Sequence, residues 1–229
     1  MSDAKTITNK PSPTIDIKKS VYARNEYLAA EFNAALTQRG IFCVNVLGAP
    51  GVGKTTSLIQ ILRKLQNHGK AACVIEGDIE SDLDTQKLNS LGFKTVQINT
   101  GGACHLDAPI VEKAFENLPI YDGFLFIENI GNLVCPVEYM LGEHIKLLIC
   151  AATDGSDKPY KYPNAFEKSD IILLNKCDLI KHIDFDMEFF IAGVRKLNPS
   201  APVVEVCGTT GEGFDEVVMW LLSKAQAIV

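Results

Sequence analysis

The fold of this chain is most constrained by an eight-residue segment, Gly48-Ala49-Pro50-Gly51-Val52-Gly53-Lys54-Thr55. It has the G-x-x-x-x-G-K-[ST] spacing of a phosphate-binding loop, or P-loop. Such a loop requires a buried strand before it and a helix after it. A β-rich apolar run over residues 41–47 precedes the segment, and apolar side chains recur at helical spacing over residues 56–66. The segment therefore predicts a strand-loop-helix unit that binds a nucleoside triphosphate.

Each position of this loop has a predicted role. Glycines let the backbone approach the phosphates, and N–H groups at a helix N-terminus attract anions. Lys54 is expected to reach the β- and γ-phosphates as a catalytic residue, and the Thr55 hydroxyl to ligate Mg²⁺. The predicted nucleotide-binding residues of the loop and helix start are Gly48, Gly51, Val52, Gly53, Lys54, Thr55 and Thr56.

Composition excludes several classes of protein. The net charge is −6 and no basic stretch is present, which argues against a nucleic-acid partner. No apolar run approaches the roughly 20 residues of a membrane span, and residues 1–10 lack a hydrophobic signal region. Seven cysteines without an export signal indicate a reducing compartment, so we expect a cytoplasmic protein. Most of Cys43, Cys73, Cys150 and Cys177 should be small buried hydrophobes.

Strands alternate with helices along the chain. Strands are predicted at residues 41–47, 70–76, 94–98, 123–128, 144–152, 170–174 and 202–206, and helices at residues 15–39, 56–66, 84–91, 106–117, 184–197 and 213–227. This order predicts an α/β fold, a doubly wound, mostly parallel sheet with helices on both faces. We expect a flexible leader and an N-terminal helix over residues 1–40, then a nucleotide-binding domain over residues 41–229. Ligands should lie beyond the carboxyl ends of the strands.

Asn175-Lys176-Cys177-Asp178 follows directly after one predicted strand. This is the N-K-x-D pattern with which guanine-nucleotide-binding proteins read the base. The Asp178 carboxylate can accept hydrogen bonds from N1–H and the 2-amino group of guanine, whereas adenine would leave it unpaired at a cost of about 1–3 kcal/mol. The Lys176 stem can lie along the base. A charged helix start is the alternative, but after a P-loop the pattern favours GTP and GDP.

Acidic residues follow two other strands. Glu128 ends the predicted strand at residues 123–128, where a Walker-B carboxylate would hold Mg²⁺ directly or through water. Asp78 also lies at a strand end and is expected to bind magnesium or to orient the attacking water. Asp82 and Asp84 are close enough in sequence to compete for that role. The alternative for each is a helix cap or a solvated acid.

Cys104, His105 and Cys135 form a third group. Two thiolates and an imidazole are ligands that suit Zn²⁺ or Ni²⁺. Adjacent Cys and His side chains converge only in an irregular loop, and Gly101-Gly102 supplies one. Both cysteines are expected in loops. Because they lie far apart in sequence and Cys is commonly just buried, the spacing leaves a metal site and buried thiols equally open.

Together these segments resemble one family. They read GAPGVGKTT, EGDIESDLD, NTGGACHLDA, ENIGNLVCP, TDGSDKPYKYP and NKCDL, in unbroken order from about residue 41 onward. They closely resemble the hydrogenase nickel-incorporation GTPase family (HypB). The resemblance implies a slow, regulatory GTPase that helps to deliver Ni²⁺ to the hydrogenase large subunit, with a further maturation protein as partner. It also implies a GTP-linked homodimer with a Ni²⁺ or Zn²⁺ site at Cys104, His105 and Cys135 near the subunit interface.

Two departures from that family pattern qualify the resemblance. Residues 1–40 contain neither a Cys-rich nickel motif nor a His-rich stretch, so we expect no high-capacity nickel storage. Residues 206–211 would form the last base-contacting loop along the chain. They lack the usual Ser-Ala form, and no side-chain role is assigned there.

Three other interpretations are weighed. A urease-type nickel accessory GTPase is one rival, but such proteins resemble a Cys-Pro-His pattern and lack a counterpart of Cys135. A P-loop small-molecule kinase would suit the fold, although no acceptor-binding signature is evident. A structural zinc protein would leave the P-loop and residues 175–178 unexplained.

Overall fold

The computed structural model describes residues 17–228, with side chains from residue 22 onward. Its strands are β1 (Ile41–Gly48), β2 (Ala72–Asp78), β3 (Lys94–Asn99), β4 (Gly123–Glu128), β5 (Ile145–Ala151), β6 (Ile171–Asn175) and β7 (Val203–Glu205). They form one sheet in the order β3-β2-β4-β1-β5-β6-β7, and every neighbouring pair within the described chain is parallel. The predicted parallel sheet is confirmed. The predicted leader over residues 1–14 lies outside the described residues.

Helices connect the strands. They are α1 (Ile17–Gln38), α2 (Lys54–Asn67), α3 (Leu83–Ser90), α4 (Ala108–Phe115), α5 (Cys135–Glu138), α6 (Lys158–Lys161), α7 (Pro163–Glu167), α8 (Met187–Leu197) and α9 (Phe214–Ile228), with 3₁₀ turns at Ala152–Asp154 and Cys177–His182. The six predicted helices occur within a few residues of their expected bounds. The short helices α5, α6 and α7 were not predicted, because four or five residues are too few to show a 3.6-residue periodicity.

Both faces of the sheet are covered, as the doubly wound prediction requires. Along β1, Phe42, Val44 and Val46 pack in one apolar cluster with side chains of α2 and α9. Ile41 and Cys43 point the other way, into a cluster with α1 and α4. A third cluster joins the far half of the sheet to α7 and α8. Because both faces are buried, β1 is an almost continuous apolar run, as parallel strands usually are.

The cysteines divide by burial. Cys43, Cys73, Cys150 and Cys207 are buried, whereas Cys135 and Cys177 are half-buried and Cys104 is exposed. The prediction for the strand cysteines is confirmed for the first three. Cys135 needs a correction, since it does not lie in a loop but is the first residue of α5, directly before Pro136. Proline suits the first turn of a helix because its missing N–H has no partner there anyway.

Within residues 17–228, no helix combines the length and apolar character needed to cross a bilayer.

Candidate functional site

The P-loop joins β1 to α2 with an open helix N-terminus. Gly51 and Gly53 have φ angles of 76° and 90°, a backbone conformation that glycine adopts without a steric penalty. Gly53 is the N-cap of α2, no side chain caps it, and the first turn contains no acid. The free N–H groups therefore face the loop, where the helix dipole favours an anion. Lys54 Nζ lies 3.4 Å from the carbonyl oxygens of Gly48 and Ala49.

Strand register places two buried carboxylates side by side next to this loop. Glu76 of β2 is the direct neighbour of Glu128 in β4, so both side chains project from the same face of the sheet. That face also carries α2, and Thr55 Oγ1 donates a hydrogen bond to Glu128 Oε1 at 2.8 Å. Asp84 of α3 completes the group: one carboxylate oxygen from each acid lies within 4.8 Å of the other two.

The electrostatics of this group indicate a cation site. Burial, reinforced by the neighbouring Glu128, raises the pKa of Glu76 to about 8. Burial also raises the pKa of Glu128 to about 7, against the opposing effect of Lys54. The Oε2 atoms of both carboxyls are buried, and neither accepts a hydrogen bond from a described residue. Buried oxygens without a donor are costly, and an all-oxygen ligand set is what Mg²⁺ prefers. The residues present therefore fit this ion.

The predicted acids do not all meet here. Glu128 and Asp84 belong to this acidic group. Glu76 belongs to it as well but was not predicted from the sequence, although a charged residue inside an apolar strand can indicate a functional site. Glu76, Asp84 and Glu128 line a cavity of about 300 Å³, and Asp78 lines it too. The Asp78 Oδ1 atom accepts a hydrogen bond from the Ile79 N–H at 2.7 Å. Asp82 is the N-cap of α3 and accepts from Gln86 Nε2 at 2.9 Å, outside the residues that line this cavity.

A second cavity, of about 190 Å³, lies at the predicted base-reading segment. Asn175 connects two loops there: its Nδ2 donates to the Val52 carbonyl at 2.8 Å, and its Oδ1 accepts from the Gly208 N–H at 2.9 Å. Lys176 adopts a left-handed conformation with φ of 60°, and its Nζ donates to the Gly51 carbonyl at 2.8 Å. Asp178 and Thr56 line the same cavity. The P-loop thus contributes to two cavities, with Gly53 lining the one at the base-reading segment and Lys54 the one at the acidic group.

Cys104, His105 and Cys135 lie near one another in the fold, outside the residues that line the two cavities. Cys104 Sγ lies 3.5 Å from His105 Nδ1. The neighbouring Cys104 thiol is the main reason that the pKa of Cys135 is raised. Burial lowers the pKa of His105. Cys104 therefore contacts His105 and is also a neighbour of Cys135.

Two neighbouring residues hold this group in place. The His105 ring stacks on Tyr139, with ring centroids 3.8 Å apart, a contact that no sequence signal indicated. The next residue, Leu106, is buried against Gly77 of β2, where an added Cβ would lie 2.8 Å from its Cδ1. The glycine in β2 thereby seats the Cys104-His105 loop at the carboxyl edge of the sheet.

One segment, residues 128–135, runs from the acidic group to the thiols. Gly131 packs on the P-loop, since a Cβ there would lie 2.9 Å from Pro50 Cγ. Asn132 forms an antiparallel bridge with Gly48. The same eight residues therefore carry Glu128 at one end and Cys135 at the other, with two contacts to the P-loop between them.

Comparison with known proteins identifies the family. The model described as "CobW/HypB/UreG, nucleotide-binding domain" matches residues 42–205. "Hydrogenase maturation factor HypB" of Azotobacter chroococcum mcd 1 is 44% identical over 211 residues, which cover 92% of this chain and 69% of that protein.

Solved structures are similar over most of the chain. HypB from Helicobacter pylori in complex with nickel is 32% identical with a TM-score of 0.84, covering 89% of this chain and 96% of that one. Hydrogenase maturation factor HypB from Archaeoglobus fulgidus is 33% identical with a TM-score of 0.81, covering 89% and 99%. The chain therefore belongs to the CobW/HypB/UreG family of P-loop nucleotide-binding proteins, and within it to HypB.

Proposed function

We propose that this protein is a GTP-hydrolysing metallochaperone that assists nickel insertion into hydrogenase. The observation that carries the proposal is that the Cys104 thiol contacts His105 and is a neighbour of Cys135. Two thiols and an imidazole suit Ni²⁺ or Zn²⁺ as the cargo. The family membership supports the same function, since relatives are named hydrogenase maturation factors and one solved relative is in complex with nickel.

The nucleotide proposed is GTP. Lys54 and the α2 N-terminus would hold the phosphates, and Asn175, Lys176 and Asp178 would surround the base. Thr55 and Glu128, with Glu76 and Asp84, would hold Mg²⁺, which neutralises charge on the β- and γ-phosphates when bound. Asp78, at the wall of the same compartment, is proposed to orient the attacking water.

We propose that segment 128–135 couples the nucleotide site to the Cys104, His105 and Cys135 metal site. A shift of Glu128 with the γ-phosphate would move a chain that is anchored to the P-loop at Pro50 and Gly48 and ends at Cys135. By linkage, metal would change nucleotide affinity by the same free energy. We also propose that GTP favours a homodimer, and that the hydrogenase large subunit and a maturation protein are the partners.

The metal site is tested by titrating Ni²⁺ and Zn²⁺ into the wild type and into Cys104→Ala and Cys135→Ala. Loss of one of three ligands should weaken Ni²⁺ binding by at least about 10-fold. Cys150→Ser is the matched control, because the Cys150 thiol is buried and donates to the Leu173 carbonyl, and Cys150 is not one of the three proposed ligands. Equal stoichiometry and affinity in the wild type and Cys104→Ala would rule out this metal site.

The base specificity is tested with Asp178→Asn. An amide presents a donor as well as an acceptor, so it matches xanthine better than guanine. We expect the affinity for GTP to fall by about 10-fold or more and the affinity for xanthosine triphosphate to rise. Competition binding with both nucleotides measures the change, and an unaltered preference for GTP would contradict the base-reading role.

The main alternative is a small-molecule kinase on the same fold. The two functions differ in where the γ-phosphoryl group goes. The proposed GTPase releases one inorganic phosphate for each GTP consumed, with or without added small acceptors. A kinase would instead yield a phosphorylated acceptor with less phosphate released, which mass spectrometry would detect.

A further inference from the structure

The buried thiol of Cys207 points at the base-reading carboxylate. Cys207 lies in the loop between β7 and α9, is 1% exposed, and lines the compartment of about 190 Å³ together with Asp178. Its Sγ–H donates a hydrogen bond to Asp178 Oδ1 at 3.2 Å. This loop lacks the Ser-Ala form that the resemblance leads one to expect, so no side-chain role could be predicted for it from the sequence.

The thiol itself is held rigidly. The Cys207 N–H donates to the Glu212 carbonyl at 3.0 Å, and the Cys207 carbonyl accepts from the Gly211 N–H at 2.8 Å. On the side chain, Thr209 Oγ1 lies 3.1 Å from Sγ. Since Sγ–H is directed to Asp178, the Thr209 hydroxyl is the donor in that contact. The three side chains therefore form a directed chain, Thr209 to Cys207 to Asp178.

Asp178 has little else to orient it. It is exposed, and no residue of its 3₁₀ turn, Cys177–His182, is buried. Among the described residues, Cys207 supplies the one side-chain hydrogen bond to this carboxylate. A carboxylate receives both N1–H and the 2-amino group of guanine only when its two oxygens lie in the plane of the base. A donor on Oδ1 sets that rotation.

We propose that Cys207 is a specificity-determining positioning residue, which holds the Asp178 carboxylate in the orientation that reads guanine. The inference rests on the proposed guanine specificity. It extends that proposal to a side chain that acts through Asp178. A thiol is a weaker donor than a hydroxyl, so serine at this position should orient Asp178 at least as well.

The test compares two ligands that differ by one group. Inosine diphosphate lacks the 2-amino group of GDP, so the ratio of the two dissociation constants measures how well the carboxylate meets both donors. In Cys207→Ala this discrimination should fall by about 3- to 10-fold, the value of one hydrogen bond. In Cys207→Ser it should equal or exceed that of the wild type. Cys150→Ser, another buried thiol that donates to an oxygen, should leave the ratio unchanged.

Each outcome has a defined meaning. Unchanged discrimination in Cys207→Ala, or an equal loss in Cys207→Ser and Cys207→Ala, overturns the proposed role of the thiol while guanine specificity stands. A wild type that binds ADP as tightly as GDP overturns guanine specificity and the role of Cys207 with it. Thermal unfolding of each variant accompanies the binding data. A global loss of fold would weaken both ligands equally, whereas a loss of orientation changes their ratio.

Discussion

At the scale of single residues, the hydrogen bonds and the burial of His144 determine its charge state. Its Nδ1 accepts from the Cys43 N–H at 2.8 Å, and its Nε2 lies 2.9 Å from Thr37 Oγ1. That hydroxyl already donates to the Asn33 carbonyl, so Nε2–H is the donor to Thr37. Both ring nitrogens are therefore satisfied in the neutral ring. Burial lowers the pKa of His144, although the nearby Glu143 carboxylate opposes the shift.

A pH dependence of stability follows from this lowered pKa. The folded protein disfavours protonated His144, so its contribution to stability is fully present above the unfolded pKa of about 6.5. It is lost as pH falls below that value, with a slope of at most about 1.4 kcal/mol per pH unit. Urea unfolding between pH 7.5 and 5.5 measures it. In His144→Asn, whose Oδ1 can still accept from the Cys43 N–H, the free energy of unfolding should fall less steeply, and parallel slopes would contradict the assignment.

At the scale of elements, the P-loop and the β6–3₁₀ junction are packed together through one glycine. A Cβ on Gly53 would lie 2.5 Å from Asn175 Nδ2, which holds the Val52 carbonyl. The φ of 90° at Gly53 adds a conformational penalty for any other residue. The start of α2 and the base-reading segment therefore keep their spacing because position 53 has no side chain.

Gly53→Ala should separate these two elements. We expect it to weaken GDP binding by about 10-fold or more, since Asn175 must move to admit the methyl group. Gly92→Ala is the matched control: Gly92 has a similar φ of 88° but nothing within 4 Å of an added Cβ. The control should lose about 1 kcal/mol of stability and keep its GDP affinity. Equal GDP affinity in both variants would show that the contact with Asn175 is unimportant.

The elements also show how far sequence reasoning reaches. The P-loop, the alternation of strands and helices, and the N-K-x-D segment all carry local sequence signals. Their positions could therefore be predicted within a few residues. The partnership of Glu76 with Glu128 depends on the register of β2 against β4, which no local pattern encodes. The stacking of His105 on Tyr139 is likewise a contact between distant segments. Sequence could nominate Cys104 and Cys135 as ligands, but only the fold could bring their thiols together.

At the scale of the whole molecule, a buried polar chain ties the loop before β5 to the centre of the sheet. Glu143 forms a buried ion pair with Lys146, and its Oε1 also accepts from Asn45 Nδ2 of β1 at 3.3 Å. Asn45 Oδ1 in turn accepts from Asn129 Nδ2 at 3.1 Å, at the end of β4. Glu143 Oε2 accepts from the Leu141 N–H at 2.6 Å. One carboxylate thus connects β1, β4, β5 and the loop before β5.

Removing one charge of this pair should be costly. Glu143→Gln leaves Lys146 buried without a counter-charge, and we expect it to destabilise the protein by about 3–5 kcal/mol. Adding Lys146→Met to that variant removes the orphan charge at similar volume and should recover most of the loss. Urea unfolding of the two variants measures both values. A double variant no more stable than Glu143→Gln would mean that the hydrogen bonds of Glu143, and not its charge, hold this region.

The central position of β1 has a consequence for how the chain is made. Val44 of β1 pairs with Phe126 of β4 on one side and with Ile145 of β5 on the other. The strand that carries the P-loop therefore has no neighbour until β4 has been synthesised, and it gains its second neighbour only with β5. Parallel pairing over such sequence separations is slow to form. The apolar strand that carries the P-loop therefore stays without a sheet partner until more than half of the chain has been synthesised.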